Sequence, residues 1–178
     1  MSRKFVFKIG SYIVRFRSKK VNALLYNLIY AASVEVALEK FDEKDLSRVR
    51  KLGYDSGVAL IYDMADKVRQ GLLGRNIDEL IEQGKSAWYI YFGSKVETEV
   101  ERKDNEVVVK IRDRECPSCM GRRYNGFYCE AMAAGHEGAQ HAVVELLNLP
   151  VDVEVHETKC IARGDEYCEF TAIYRMKK

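Results

Sequence analysis

All five cysteines of this 178-residue chain fall in its last third, at Cys116, Cys119, Cys129, Cys160 and Cys168. An odd number of cysteines with no secretory leader argues against a disulfide framework and for metal or redox chemistry. The N-terminal residues, Met1 to Arg17, carry Lys and Arg but no long apolar run ending in small residues, so no signal peptide is expected. The most apolar stretch, about Ala23 to Leu38, is interrupted by Asn27, Ser33 and Glu35. A membrane span needs about 20 nearly unbroken apolar residues, so a cytoplasmic location is the expectation. The net charge of +2 comes from interleaved Lys/Arg and Asp/Glu. It gives no electrostatic reason to expect a nucleic-acid partner.

Periodicity divides the chain into a helical part, 1–85, and a sheet-plus-helix part, 86–178, within one domain. Phe5, Phe7 and Ile9, then Val14 and Phe16, alternate as two short strands about Gly10-Ser11, or as one interrupted strand. From Val21 apolar residues recur at helical spacing to about Lys40. A second helix starts at Asp42 or Lys44 and continues to Gly71 and Gly74; Gly53 and Gly57 within it permit close approach to a neighbour. Asn76 is placed to cap a third helix, Ile77 to Gln83, with Glu79 at the capping-box position. Ala87–Phe92, Val96–Arg102 and Val107–Ile111 then read as antiparallel strands. A helix follows from about Phe127 to Leu147, its small residues Ala131, Ala133, Ala134, Gly135, Gly138 and Ala139 suited to lying close on a sheet. Val151, Val153 and Val155 alternate as one more strand, and Tyr167–Tyr174 forms the last. The order is that of an α+β domain: N-terminal helices packed with an antiparallel sheet, one crossing helix and a C-terminal cysteine-bearing hairpin.

The parity of the last two strands carries the chemistry. A turn at Gly164-Asp165 sets Cys160 opposite Cys168, a range at which two thiolates can share a zinc ion or, with adjustment, form a disulfide. Val151, Val153 and Val155 mark a buried face whose next member is Glu157, a carboxylate that needs a compensating partner there. Cys168 shares parity with Phe170 and Ala172, and Cys129 lies on the helical stripe Cys129, Met132, His136, Val143, Leu147. Cys129, Glu157, Cys160 and Cys168 can therefore converge as a three-sulfur, one-carboxylate site. Glu157 and Cys160 are an odd number of residues apart, so the strand must end or bulge between them; in a regular strand His156 is the better-placed ligand. Cys116-Pro-Ser-Cys119 is either a second metal half-site, replacing Cys129 and Glu157, or a disulfide, or a reduced pair.

Other motifs exclude more than they assign. His136 and His141 are five residues apart, whereas the zinc-protease motif needs them at i and i+4 on one face. There is no G-x-S-x-G, Walker loop or G-x-G-x-x-G. Trp88, Tyr89, Tyr91, Phe92, Tyr124, Phe127 and Tyr128 read as core or as the lining of an apolar pocket. The arginines near the cysteine loop, Arg112, Arg114, Arg122 and Arg123, read as solvated surface or as a seat for an anionic ligand or partner.

Taken together, Cys129 with Gly135 and Gly138, His156-Glu157-Thr158-Lys159-Cys160, and Gly164-Asp165-Glu166-Tyr167-Cys168-Glu169-Phe170 resemble the 4-vinyl-reductase domain family. There a cysteine opens a Gly/Ala-rich helix, followed by E-x-x-C and by G-D-x-x-C ending in a strand. The resemblance is specific from about Cys116 to Phe170; upstream only the order of elements agrees. It implies a fold similar to that of a subunit of the Golgi vesicle-tethering (TRAPP) complex, and Cys129, Glu157, Cys160 and Cys168 as zinc ligands. Family members include sensor modules of aromatic-responsive transcription activators, a subunit associated with bacteriochlorophyll synthesis and many archaeal proteins. The function expected is binding of a small apolar or aromatic ligand, with structural zinc because four protein ligands leave no open position. The long apolar faces of the first two helices suggest a homodimer. The competing expectations are a reductase subunit acting on a tetrapyrrole-like substrate, and a scaffold.

Overall fold

The computed structural model describes residues 46–71, 74–119, 121–126 and 128–177, with helical residues 29, 32–34, 36 and 37 before them. The strands expected within residues 3–17, and most of the first expected helix, lie outside the described residues.

The second expected helix forms in two pieces, α1 (Ser47–Asp63) and α2 (Ala65–Arg69), broken at Met64. Gly71 and Gly74 then turn the chain with φ of 75° and 101°. Helix α3 spans Ile77–Phe92 and opens as its sequence dictates. Asn76 Oδ1 accepts the Glu79 N–H at 3.0 Å, while the Glu79 carboxylate accepts the Arg75 N–H at 2.9 Å. It does not stop near Gln83. The run Ala87–Phe92, expected as a strand, is the last part of α3, closed by Gly93 at φ 78°. An apolar run of this length fits either period; here the helix already nucleated at Asn76 continues through it.

Strands β1 (Val96–Lys103), β2 (Glu106–Asp113), β3 (Val151–Lys159) and β4 (Cys168–Met176) form one antiparallel sheet in the order β1-β2-β4-β3. Helix α4 (Glu130–Leu146) crosses between β2 and β3 in sequence. The sheet's inner face is set by alternation. Val107, Val109 and Ile111 of β2, Val151, Val153 and Val155 of β3, and Phe170, Ala172 and Tyr174 of β4 are all buried. They join Val49 of α1, Trp88 of α3 and Met132 of α4 in one apolar core. Each such side chain contributes about 1.5–3 kcal/mol on burial.

The small residues of α4 meet a helix rather than the sheet alone. A Cβ on Gly53 would stand 2.2 Å from the Ala131 carbonyl oxygen, one on Gly57 2.0 Å from that of Gly135, and one on Gly138 2.2 Å from that of Tyr54. Helices α1 and α4 therefore touch backbone to backbone. Arg50 of α1 locks the pair, donating to Glu130 and Glu137 at 2.9 Å each and to the Val155 carbonyl at 3.3 Å. Along the sheet edge, α4 side chains take up the free backbone groups of β3. Glu137 accepts the Val155 N–H at 2.9 Å, Glu130 accepts the Glu157 N–H at 3.4 Å, and His141 Nε2 meets the Val153 carbonyl at 2.6 Å.

Candidate metal centre and ligand cleft

Four loops and ends converge at one corner of the sheet. β2 and β4 pair Asp113 with Cys168, so the Cys116–Cys119 loop, which leaves β2, is delivered to the end of β4 that carries Cys168. Cys129 is the residue before α4, its carbonyl accepting the N–H of Met132 and Ala133 at 2.9 and 3.1 Å. On β3 the ladder shifts register between Glu157 and Lys159. That irregularity turns both Glu157 and Cys160 inward and leaves His156 exposed, which settles the parity conflict in favour of the carboxylate. Between Cys160 and Cys168 a short 3₁₀ turn, Ile161–Arg163, ends at Gly164 with φ 108°. Asp165 pins it by accepting the Cys160 N–H at 2.8 Å.

The result is a buried knot of donors. One ligand atom from each of Cys119, Cys129, Glu157, Cys160 and Cys168 lies within 4.8 Å of every other. All five cysteines are reduced and fully enclosed. Cys119 Sγ is 3.0 Å from that of Cys129 and 3.5 Å from those of Cys160 and Cys168; Cys116 Sγ lies 3.5 Å from that of Cys129. Every residue of the expected quartet Cys129, Glu157, Cys160 and Cys168 is thus brought together, and Cys119 joins them. Its C-x-x-C spacing carried that signal, but the register that delivers it to the end of β4 could not be read from a single strand.

The side chains at this corner could hold a cation, and burial governs their electrostatics. Burial, and then the charge of Cys160, push the Glu157 carboxyl well above the usual carboxylate range. Burial likewise pushes the Cys129 thiol up. Cys160 is drawn down, first by the Cys119 thiol that donates to it. Glu157 Oε2 accepts the Cys129 N–H at 2.7 Å, yet Oε1 is sealed from solvent and has no partner. A buried carboxylate oxygen among thiols is satisfied either by a proton or by a bound cation. Soft sulfur donors beside one carboxylate oxygen suit zinc, which takes four of the five.

A second feature lies between α3 and the sheet. A narrow cleft of about 20 Å³ is walled by Leu80 and Trp88 of α3, Val109 and Ile111 of β2 and Tyr174 of β4, with His136 and Gln140 of α4. Trp88 is held in place by its indole N–H, which donates to the buried Asp113 at 3.1 Å. Burial raises the Asp113 carboxyl, and hydrogen bonds from Ser94 and Trp88 oppose that rise. Among the described side chains of the aromatic residues singled out in the sequence, Trp88 alone lines this cleft.

No sequence-family model matches the chain, and no curated protein sequence matches it. Solved structures do. A trafficking protein particle complex subunit 3 from Naegleria fowleri, covalently bound to palmitic acid, superposes with a TM-score of 0.68 at 20% identity, over 90% of this chain and 98% of that one. The chain has that fold. The phenol-responsive sensory domain of the transcription activator PoxR, solved with phenol, gives 0.55 at 14% identity over 83% of this chain and 73% of that one. A vinyl-4-reductase family protein from Methanocaldococcus jannaschii gives 0.51 at 16% identity over 95% and 92%. The α+β architecture expected from the sequence is therefore shared with both kinds of protein the resemblance pointed to. Among the described residues, no helix is long and apolar enough to cross a membrane.

Proposed function

We propose that this chain is a small-molecule-binding domain whose C-terminal corner is fixed by one structural zinc ion. The observation that carries the reading is the sealed cluster of four thiols around Glu157, with its unpartnered carboxylate oxygen. Cys129, Glu157, Cys160 and Cys168 are the proposed ligands, and Cys119 stands close enough to replace the carboxylate. Bound there, zinc supplies charge compensation and a crosslink, joining the start of α4 to the β3–β4 connection. The chain's own residues then present the inner face of the sheet, beneath α3, to a ligand. Two structural neighbours support the binding role, since one carries palmitic acid and another phenol. The chemistry proposed for this chain is binding, with the readout left to a partner or to a second copy. Exposed Leu52 on α1, with Ile29 and Val36 on the preceding helical residues, supports pairing of two copies through helices.

The test has two arms. Purified protein carries about one zinc per chain by elemental analysis, and Cys160→Ser or Cys168→Ser loses it; stable, zinc-free wild type refutes the metal. Native mass spectrometry and thermal shift with phenol and palmitic acid address the ligand. A chain that binds no apolar molecule refutes the binding role.

A further inference from the structure

We propose that a basic groove beside the cysteine corner docks an acidic segment of a partner protein, with Arg122 and Arg123 taking its carboxylates. The reading above hands the readout to a partner; this inference rests on that step and gives the partner its chemistry.

The groove lies between the loop that follows Cys119 and the turn that follows Cys160, open to solvent and about 580 Å³ in volume. Backbone bonds fasten its walls to each other and to the thiol residues. The Tyr124 N–H donates to the Ala162 carbonyl at 2.9 Å, joining the two segments. The Arg122 N–H donates to the Cys119 carbonyl and the Arg163 N–H to the Cys160 carbonyl, each at 3.1 Å. Gly164 ends the turn, and a Cβ there would meet nothing within 4 Å, so this end of the groove is uncrowded.

Three arginines line the groove and no carboxylate does. Arg163 is compensated by Asp165 at 2.7 Å. Arg122 and Arg123 form no ion pair among the described residues. The Arg122 guanidinium rests over the Tyr128 ring, 5.7 Å from its centre, and Tyr128 meets Tyr124 edge to face at 5.8 Å. A guanidinium steadied in this way presents a planar fork of N–H donors, the match for a carboxylate. Half-buried Tyr124 and Ile161 add apolar lining.

The shape and the charge favour a peptide. An open groove leaves most of a small anion in water, whereas small-molecule pockets bury most of what they hold. A nucleic acid needs a longer basic track. Here Asp165 and Glu166 follow Gly164 directly, and the net charge of the chain is only +2. An acidic segment carrying an apolar residue matches both the arginines and the lining. Contacts of this size are transient, and charge sets their rate and specificity.

Fluorescence anisotropy of labelled probes with the full chain, as purified, tests the groove. The probes are a peptide of Asp and Glu around one Leu, its Asn and Gln counterpart, a Lys-rich counterpart and single-stranded DNA. The acidic peptide is expected to bind at least about tenfold more tightly than the neutral one, and to weaken as salt rises. Arg123→Gln weakens it about threefold, as loss of one exposed ion pair does. Arg122→Gln with Arg123→Gln removes the preference, while Arg69→Gln, an exposed arginine of α2, leaves it unchanged. Arg122→Glu with Arg123→Glu reverses it toward the Lys-rich peptide, with circular dichroism confirming the fold of each variant. Equal binding of acidic and neutral peptides, retention of the preference in the double Gln variant, or an equal loss in Arg69→Gln overturns the proposal. Single-stranded DNA binding more tightly than the peptide, and lost in the double Gln variant, overturns it in favour of a nucleic-acid seat. No apolar ligand enters these measurements, so failure of the groove leaves the small-molecule reading to its own test with phenol and palmitic acid.

Discussion

The carboxylate of Glu157 accepts the backbone N–H of Cys129 at 2.7 Å, tying the β3 irregularity to the residue that caps α4. One oxygen of Glu157 orients the helix start and the other faces the sulfurs unpartnered. Glu157→Gln keeps a carbonyl for the Cys129 N–H and removes the charge. Its zinc affinity is expected to fall about 10- to 100-fold, as when a group supporting a metal site is lost, measured by competition with a colorimetric chelator. An unchanged affinity would assign the fourth position to Cys119, and Cys119→Ser would then lose the metal while Glu157→Gln retains it.

Removal of the ion is itself informative. Stripping zinc with a chelator is expected to lower the melting temperature and to raise the reactivity of Cys160 and Cys168 toward a thiol reagent. All five thiols are fully enclosed, and only loosening of this corner exposes them. Mass spectrometry after alkylation reads the result residue by residue.

The glycines of the α1–α4 contact and the glycine of α3 should respond in opposite directions. Gly57→Ala places a methyl 2.0 Å from the Gly135 carbonyl oxygen and forces the two helices apart, costing about 1–3 kcal/mol or more. Gly84→Ala meets open space and stabilises by about 0.5–1 kcal/mol, through helix propensity. Urea unfolding of the two variants checks the sign.

Acid should weaken the fold through His136. Its folded pKa is lowered to about 4 from 6.5, so the unfolded chain binds the proton more readily between those values. Stability from this group is full above pH 6.5 and is lost as pH falls toward 4. Its Nδ1 is sealed while the residue as a whole is half-buried, so the loss is on the order of 2 kcal/mol. The Lys85 side chain, its amine paired with Glu82 at 2.9 Å, and the neutral groups of Gln140, Trp88 and Tyr174 line the cleft with it. The difference in pH dependence between wild type and His136→Phe, from denaturant midpoints at pH 4.5 and 7.5, isolates the contribution.

Arg50 joins α1, α4 and β3 through two carboxylates and a carbonyl. The guanidinium is partly exposed, so Arg50→Ala is expected to cost about 1 kcal/mol, with less effect in high salt. Chemical denaturation at two ionic strengths measures it.

Legibility followed the length and purity of the pattern. The alternation Val151, Val153, Val155, Glu157 and the parity of Cys168 with Phe170 fixed which side chains face inward, and the structure keeps them so. Asn76 and Glu79 marked the start of α3 because capping is local chemistry. Its end was misread: Ala87–Phe92 suits both periods, and only continuity with the preceding turns decides. The ambiguity of Cys119 had another cause. Whether a C-x-x-C loop reaches a site depends on which strand it follows and on the register Asp113↔Cys168, a long-range property. His136 lies on the inward stripe that the sequence shows, but its unmatched ring nitrogen, like the Gln140 carbonyl, is visible only once its surroundings are known.

The covering of β3 by Glu130, Glu137, His141 and Arg50 has a consequence for how the molecule tolerates crowding. A sheet recruits further strands wherever its border offers bare amides and carbonyls. On this border the Val153 carbonyl, both backbone groups of Val155 and the Glu157 N–H are already engaged. At the other, β1 displays Glu97, Glu99 and Glu101, matched to Arg114, Arg112 and Lys110 beside them. A foreign strand docking there must first dislodge a ladder of opposite charges, so the folded chain is guarded on both flanks against templated polymerisation.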